Sequence, residues 1–119
     1  MTMPKVTATV SKTTNRVSLA QGNEYDLIGI ETDCYRIIDE SGEPTLFPKA
    51  YFLEDKVSPP VDWIYRKYED EEYEYNMPQF SERGFFEDYA DNVREAVEAI
   101  IEYKEKSNGS NLFSGRDKQ

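Results

Sequence analysis

Apolar positions recur with the period of strands in the first half of the chain and with the period of a helix near its end, so the fold class read from the pattern is α+β. Val6 to Val10 reads VTATV, which puts Val6, Ala8 and Val10 on one face and two threonines on the other, as in an edge strand. Tyr25, Leu27, Ile28 and Ile30 give a second strand, and Cys34 to Ile38 a third. Asp39 to Pro44 (DESGEP) supplies the Gly and Pro that reverse a chain. Phe47-Pro48-Lys49 sets a tight turn ahead of Ala50 to Leu53, a short closing strand. Ser11 to Gly22 is polar apart from an apolar island at Val17 and Leu19, and predicts a long loop. Residues 1–57 therefore read as a meander of short antiparallel strands.

Ser58-Pro59-Pro60 stops both helix and central strand, because proline has no N–H to give and its ring restricts the residue before it. Beyond it, Val61 to Phe80 interleaves Trp63, Tyr65, Tyr68, Tyr73, Tyr75 and Phe80 with acids, which predicts an acidic aromatic connector. From Gly84 the apolar spacing becomes three and four: Phe86, Tyr89, Val93, Ala96 or Val97, and Ile100 form one stripe. That predicts a single C-terminal amphipathic helix packed back on the strands, with Ser81 as its N-cap and Ser107-Asn108-Gly109 as its end. Connector and helix together span 58–106, and 107–119 reads as a flexible tail. Trp63 offers the largest apolar surface near the proline break and is the expected pin of the helix packing.

The order Gly22, Tyr25, an apolar strand, Tyr35-Arg36-Ile37-Ile38-Asp39-Glu40-Ser41-Gly42, then Leu46, Pro48 and Phe52 resembles the small SH3-like β-barrels of many bacterial and prophage proteins. The resemblance covers roughly Lys5 to Asp55 and implies an antiparallel barrel with a binding role rather than an activity. The chain departs from the peptide-binding SH3 modules: it has no ALYDY-like motif after the first strand, and Ser11 to Gly22 contains no aromatic residue. Proline-peptide binding is therefore disfavoured.

Composition narrows the chemistry. The chain has 119 residues, enough for one domain or one domain with an appendage. It has no histidine, which removes the commonest general base and metal ligand, and its one cysteine, Cys34, excludes an internal disulfide and a CxxC site. No phosphate-binding glycine loop, nucleophile elbow or calcium loop is present, so no catalytic residue, metal ligand or cofactor is assigned. No run of apolar residues suits an export signal or a membrane span, and a reducing cytoplasm is the expected setting. With 14 basic against 24 acidic residues, net −10, the chain is expected not to bind nucleic acid directly, because phosphate contacts need Lys and Arg. It is expected instead to attract basic protein surfaces.

The candidate partner-binding residues are Tyr68, Glu69, Asp70, Glu71, Glu72, Tyr73, Glu74 and Tyr75, where repelling acids alternate with flat rings. The run reads as a solvated acidic loop, as a patch for a basic partner, or as a divalent-ion site lacking the usual glycine turn. A second acidic set, Asp91, Glu95, Glu98 and Glu102, shares one helix face opposite the apolar stripe and extends the negative surface. The function this supports is non-enzymatic: an acidic module that docks on the basic surface of another protein, as a phage-type inhibitor or DNA-mimic-like anti-defence protein would. Two alternatives stand beside it, an immunity protein neutralising a basic nuclease toxin and a structural or adaptor component of a phage or bacterial assembly.

Overall fold

The computed structural model describes residues 4–13 and 18–116, with backbone alone for 108–116. Val17 of the apolar island, residues 1–3 of the first segment and the last three residues of the tail lie outside the described residues. The chain divides between Ser81 and Glu82 into two compact units.

The first unit is built on one long strand. Residues Glu24–Glu31 form β4, and this strand pairs antiparallel with three others: β1 (Lys5–Thr7) along its first half, β5 (Cys34–Ile38) and, along its last three residues, β8 (Tyr73–Asn76). β6 (Pro44–Pro48) extends the sheet beyond β5 and β7 (Ile64–Lys67) beyond β8, in the order β6-β5-β4-β8-β7. In the connection after β1, the two-residue strands β2 (Lys12–Thr13) and β3 (Ser18–Leu19) pair with each other. A long loop was expected there.

Two local devices shape this sheet. Leu27 opposes Ile37 and Ile30 opposes Tyr35, so a bulge in β4 lets residues three apart share the face that Ile37 and Tyr35 define. This explains why Leu27, Ile28 and Ile30 are all buried although strict alternation would expose one of them. Gly29, next to the bulge, lies between Arg36 and Asn76. A Cβ there would stand 2.6 Å from Asn76 Oδ1, so the close approach of three strands requires glycine.

Ala50 to Leu53 forms a 3₁₀ turn over Lys49–Tyr51 followed by an extended stretch rather than a plain strand. Phe52 bridges to Ala8, Leu53 N–H donates to Thr7 O at 2.8 Å and Thr9 N–H to Tyr51 O at 2.8 Å. The stretch thus runs antiparallel beside the end of β1. The Glu54 carboxylate then accepts from Thr7 N–H at 2.7 Å and Thr7 Oγ1 at 3.0 Å. Val6, Leu19, Leu27, Ile28, Tyr35 and Ile37 are buried, with Phe47 and Phe52 in ring contact.

The segment read as a connector contains two paired strands. Ile64–Lys67 and Tyr73–Asn76 make a hairpin, and its second strand hydrogen-bonds to β4. Within the hairpin, Glu69, Asp70, Glu71 and Glu72 collect at the turn, where water solvates them, and Glu74 faces Arg66 across the pair. Trp63, just before β7, is buried.

The second unit corrects the helix reading. In place of one helix from Gly84 there are two, α1 (Phe85–Ala90) and α2 (Arg94–Arg116), packed on each other. Asn92 takes a left-handed conformation (φ 62°), Asn92 N–H donates to Tyr89 O and Val93 N–H to Asp88 O. Those two bonds are a Schellman stop, for which asparagine is the usual substitute for glycine. The break resets the helical phase, so the buried residues are Phe85, Ala96, Ile100 and Tyr103, while Val93 is exposed. Gly84 (φ 80°), not Ser81, occupies the N-cap; Ser81 Oγ donates back to Pro78 O at 2.9 Å. Asp91 lies at the break, which leaves Glu95, Glu98 and Glu102 as the acidic face of α2. Past Ser107-Asn108-Gly109 the α2 backbone continues to Arg116.

Candidate functional site

The β7–β8 hairpin sorts the eight candidate residues into three environments. Register and alternation do the sorting, because successive side chains of a strand point to opposite faces.

At the tip, Glu69, Asp70, Glu71 and Glu72 are all exposed. Glu72 N–H donates to Glu69 O, and the two residues between them, Asp70 and Glu71, have φ of 62° and 65°. Two positive φ values at the centre of a turn are the mark of the type I′ hairpin turn, which usually carries Asn-Gly. An ordinary side chain in that region costs about 1–2 kcal/mol. None of the four tip acids makes an ion pair among the described residues.

Glu74 belongs to a different set. It faces Glu31 across the β4–β8 pair and Arg66 across β7–β8. Arg66 Nη1 lies 3.5 Å from Glu74, the Tyr68 hydroxyl donates to it at 2.9 Å, and Arg36 lies 3.6 Å from Glu31. Two arginines thus bracket two carboxylates on one face of the sheet, and Glu74 is neutralised within the protein. Burial pushes the Glu31 carboxyl above its ordinary pKa; Arg36 opposes the rise and Glu74 adds to it. A raised folded-state pKa makes Glu31 favourable to folding below its unfolded pKa, and that contribution is lost as pH rises through the folded value. Glu31→Gln should therefore raise the melting temperature at pH 7 and lose that advantage near pH 4. An equal gain at both values in thermal melts would rule out the half-buried carboxylate as its cause.

Tyr73 and Tyr75 point the other way. A row of directly opposed residues crosses the sheet from Phe47 through Tyr35, Ile30 and Tyr75 to Tyr65. With Lys49, Tyr73 and the stretch from Asp55 to Pro59, members of this row line a cleft of about 580 Å³. The Tyr65 and Tyr75 rings lie 4.9 Å apart and the Tyr73 and Tyr75 rings 5.9 Å apart, edge to face. Lys49 Nζ donates to Thr32 O at 3.1 Å and to the Tyr73 hydroxyl at 3.2 Å, and it stands over the Tyr35 ring at 5.5 Å. Thr32 Oγ1 accepts from Tyr73 N–H at 3.0 Å, which fixes the start of β8.

Tyr35, Tyr65 and Lys49 were not among the candidates read from sequence. The period-two alternation of Tyr73-Glu74-Tyr75-Asn76 was the available signal, since it separates tyrosines from acids onto two faces. Lys49 carried none. Cys34, half-buried on β5, has its thiol pushed up by burial and by Glu31 and Asp33, which keeps it protonated and unreactive at neutral pH.

Among the described residues no three His, Cys, Asp or Glu side chains gather where they could hold a metal ion, and no helix is long and apolar enough to cross a membrane. No family model matches the chain, and neither a curated protein nor a solved structure shows significant similarity to it.

Proposed function

We propose that this chain is a non-enzymatic, acidic protein-binding module that docks on a basic surface of a partner protein through the tip of the β7–β8 hairpin. The observation that carries the reading is the presentation of Glu69, Asp70, Glu71 and Glu72: four exposed carboxylates, none ion-paired among the described residues, on a turn that holds two of them in strained backbone. Glu74 drops out of the docking set because Arg66 and Tyr68 already satisfy it. The net charge of −10 supplies the long-range field that steers such an encounter. An inhibitor of the phage anti-defence type and an immunity protein for a basic nuclease would both use this surface.

The first unit is read here as an SH3-like barrel. Supporting this are the neighbour order from the Phe52 stretch through β1, β4 and β5 to β6, the β2–β3 hairpin in the first connection, and the 3₁₀ turn ahead of Phe52. In such a reading the β7–β8 hairpin is an addition to the barrel that projects the acidic tip.

The test is kinetic. A partner captured from host lysate at low salt is compared with the wild-type chain and with a quadruple variant, E69Q, D70N, E71Q and E72Q. Association of the variant should slow by roughly tenfold or more, with a flatter dependence on ionic strength and the same melting temperature or a slightly higher one. Equal association rates for the two proteins would remove the hairpin tip from any docking role.

A further inference from the structure

The cleft on the tyrosine face carries a local charge opposite to that of the chain. Its charged lining residues are Lys49, Lys56 and Asp55, two cations against one acid in a protein of net charge −10. Neither lysine makes an ion pair among the described residues.

The hydrogen bonds around Lys49 leave donors over. An ammonium has three N–H groups, and Lys49 uses one on Thr32 O and one on the Tyr73 hydroxyl. The Tyr73 oxygen accepts in that bond, so its own proton remains to be given. A third Lys49 N–H and the Tyr73 O–H are thus two donors on atoms 3.2 Å apart at one wall of the cleft. A second cation is disfavoured at this wall, because the Lys49 ammonium already stands over the Tyr35 ring and on the Tyr73 hydroxyl. The adjoining wall is different in kind. Tyr65 is half exposed and packs on Tyr75, leaving flat ring surface open to a guest.

We propose that this cleft binds a small planar anion, with its ring against Tyr65 and Tyr75 and its carboxylate or phosphate on the Lys49 and Tyr73 donors. Its volume of about 580 Å³ lies within the range of small-molecule sites, roughly 300–1,000 Å³. A long polyanion is repelled by the field of the whole chain. A single anionic group meets mainly the local lysines, since charges beyond about 8 Å are screened at physiological salt. The site is separate from the hairpin tip, because none of Glu69, Asp70, Glu71 and Glu72 lines the cleft.

Calorimetric titration of the full chain tests this with four probes: adenosine 5′-monophosphate, adenosine, 4-hydroxybenzoate and inorganic phosphate. At least one of the two ring-bearing anions should bind, and adenosine and free phosphate should each bind more weakly than it by roughly tenfold or more. Which ring-bearing anion binds tells whether the site is suited to phosphate or carboxylate. Lys49→Gln and Tyr65→Ser should each weaken that binding by roughly tenfold. Tyr65 lies on an exposed strand, so its variant keeps the test intact if loss of the Lys49 contacts unsettles the fold. Equal binding of adenosine and its monophosphate, binding of phosphate as tight as that of either ring-bearing anion, or no saturation by either ring-bearing anion up to about 5 mM would each overturn the proposal.

Discussion

Asp39→Ala should cost about 3 kcal/mol of folding stability, because one buried carboxylate organises the whole β5–β6 turn. Its Oδ1 accepts from Ser41 N–H at 2.9 Å, Ser41 Oγ at 2.7 Å and Glu43 N–H at 3.0 Å, while Oδ2 accepts from Thr45 Oγ1 at 2.9 Å. The residue is 4% exposed, so water replaces few of these bonds when the carboxylate is removed. Two backbone N–H groups would be left without their acceptor in a turn whose ladder bonds, Asp39 N–H to Glu43 O and Gly42 N–H to Asp39 O, depend on the same geometry. In urea the midpoint should fall with little change in slope, and the melting temperature should drop by about 10 °C or more. Asp39→Asn keeps an acceptor oxygen and should lose roughly half as much. A loss below about 1 kcal/mol for the alanine variant would mean that the turn forms without its side-chain acceptor.

The turn was legible in sequence, since an acid followed by Ser-Gly and Pro between two β-type runs has one simple reading. The strands on either side were legible for the same reason: Tyr35 and Ile37 alternate with Arg36 and are fully buried where Arg36 is not. What failed was the reading of segments whose local signal conflicts with their partner. Ile64-Tyr65-Arg66-Lys67 has one polar half and is separated from its mate by an acid cluster, so it scores poorly as a strand alone. It becomes one because β8 offers it a ladder and β4 offers β8 another.

The helix break was missed for a subtler reason. Asn92 lies within a three-and-four apolar spacing that runs on across it from Phe86 to Ile100, and periodicity alone cannot see that the backbone turns left-handed there. The signal was the residue itself, since asparagine enters the left-handed region more readily than any neighbour in the sequence. The candidate site was half legible. The acid run drew attention to the segment that forms the β7–β8 hairpin, and alternation within it sets Glu74 on the face away from Tyr73 and Tyr75, but that Lys49, far off in sequence, lines the same cleft as these tyrosines shows only in the fold.

Tyr35 joins the interior of the first unit to that cleft, and it carries the largest expected single loss. Its ring is fully buried, lies 5.6 Å from the Phe52 ring and has the Lys49 ammonium over its face, while its hydroxyl donates to Glu54 O at 2.7 Å. Tyr35→Ala removes the ring and leaves a cavity, at a cost of about 3–5 kcal/mol. Tyr35→Phe keeps the ring and removes only the hydroxyl bond, at a cost of about 1 kcal/mol. The pair separates packing from hydrogen bonding at one position. The phenylalanine variant carries a second readout in pH. Burial raises the pKa of the Tyr35 phenol above its ordinary value, with Asp55 and Glu54 adding to the rise. Stability from a raised pKa is present below the unfolded value, near pH 10, and is lost as pH climbs through the folded one, because the unfolded chain ionises first. Tyr25, whose phenol is also raised by burial and by Glu40, contributes in the same window. Tyr35→Phe should therefore be less stable than wild type at pH 8, yet lose less on going to alkaline pH, where Tyr25 and the Cys34 thiol, both raised by burial, contribute to the slope that remains. Identical alkaline slopes for the two proteins in chemical denaturation would show that the Tyr35 phenol ionises as freely in the folded protein as in the unfolded one.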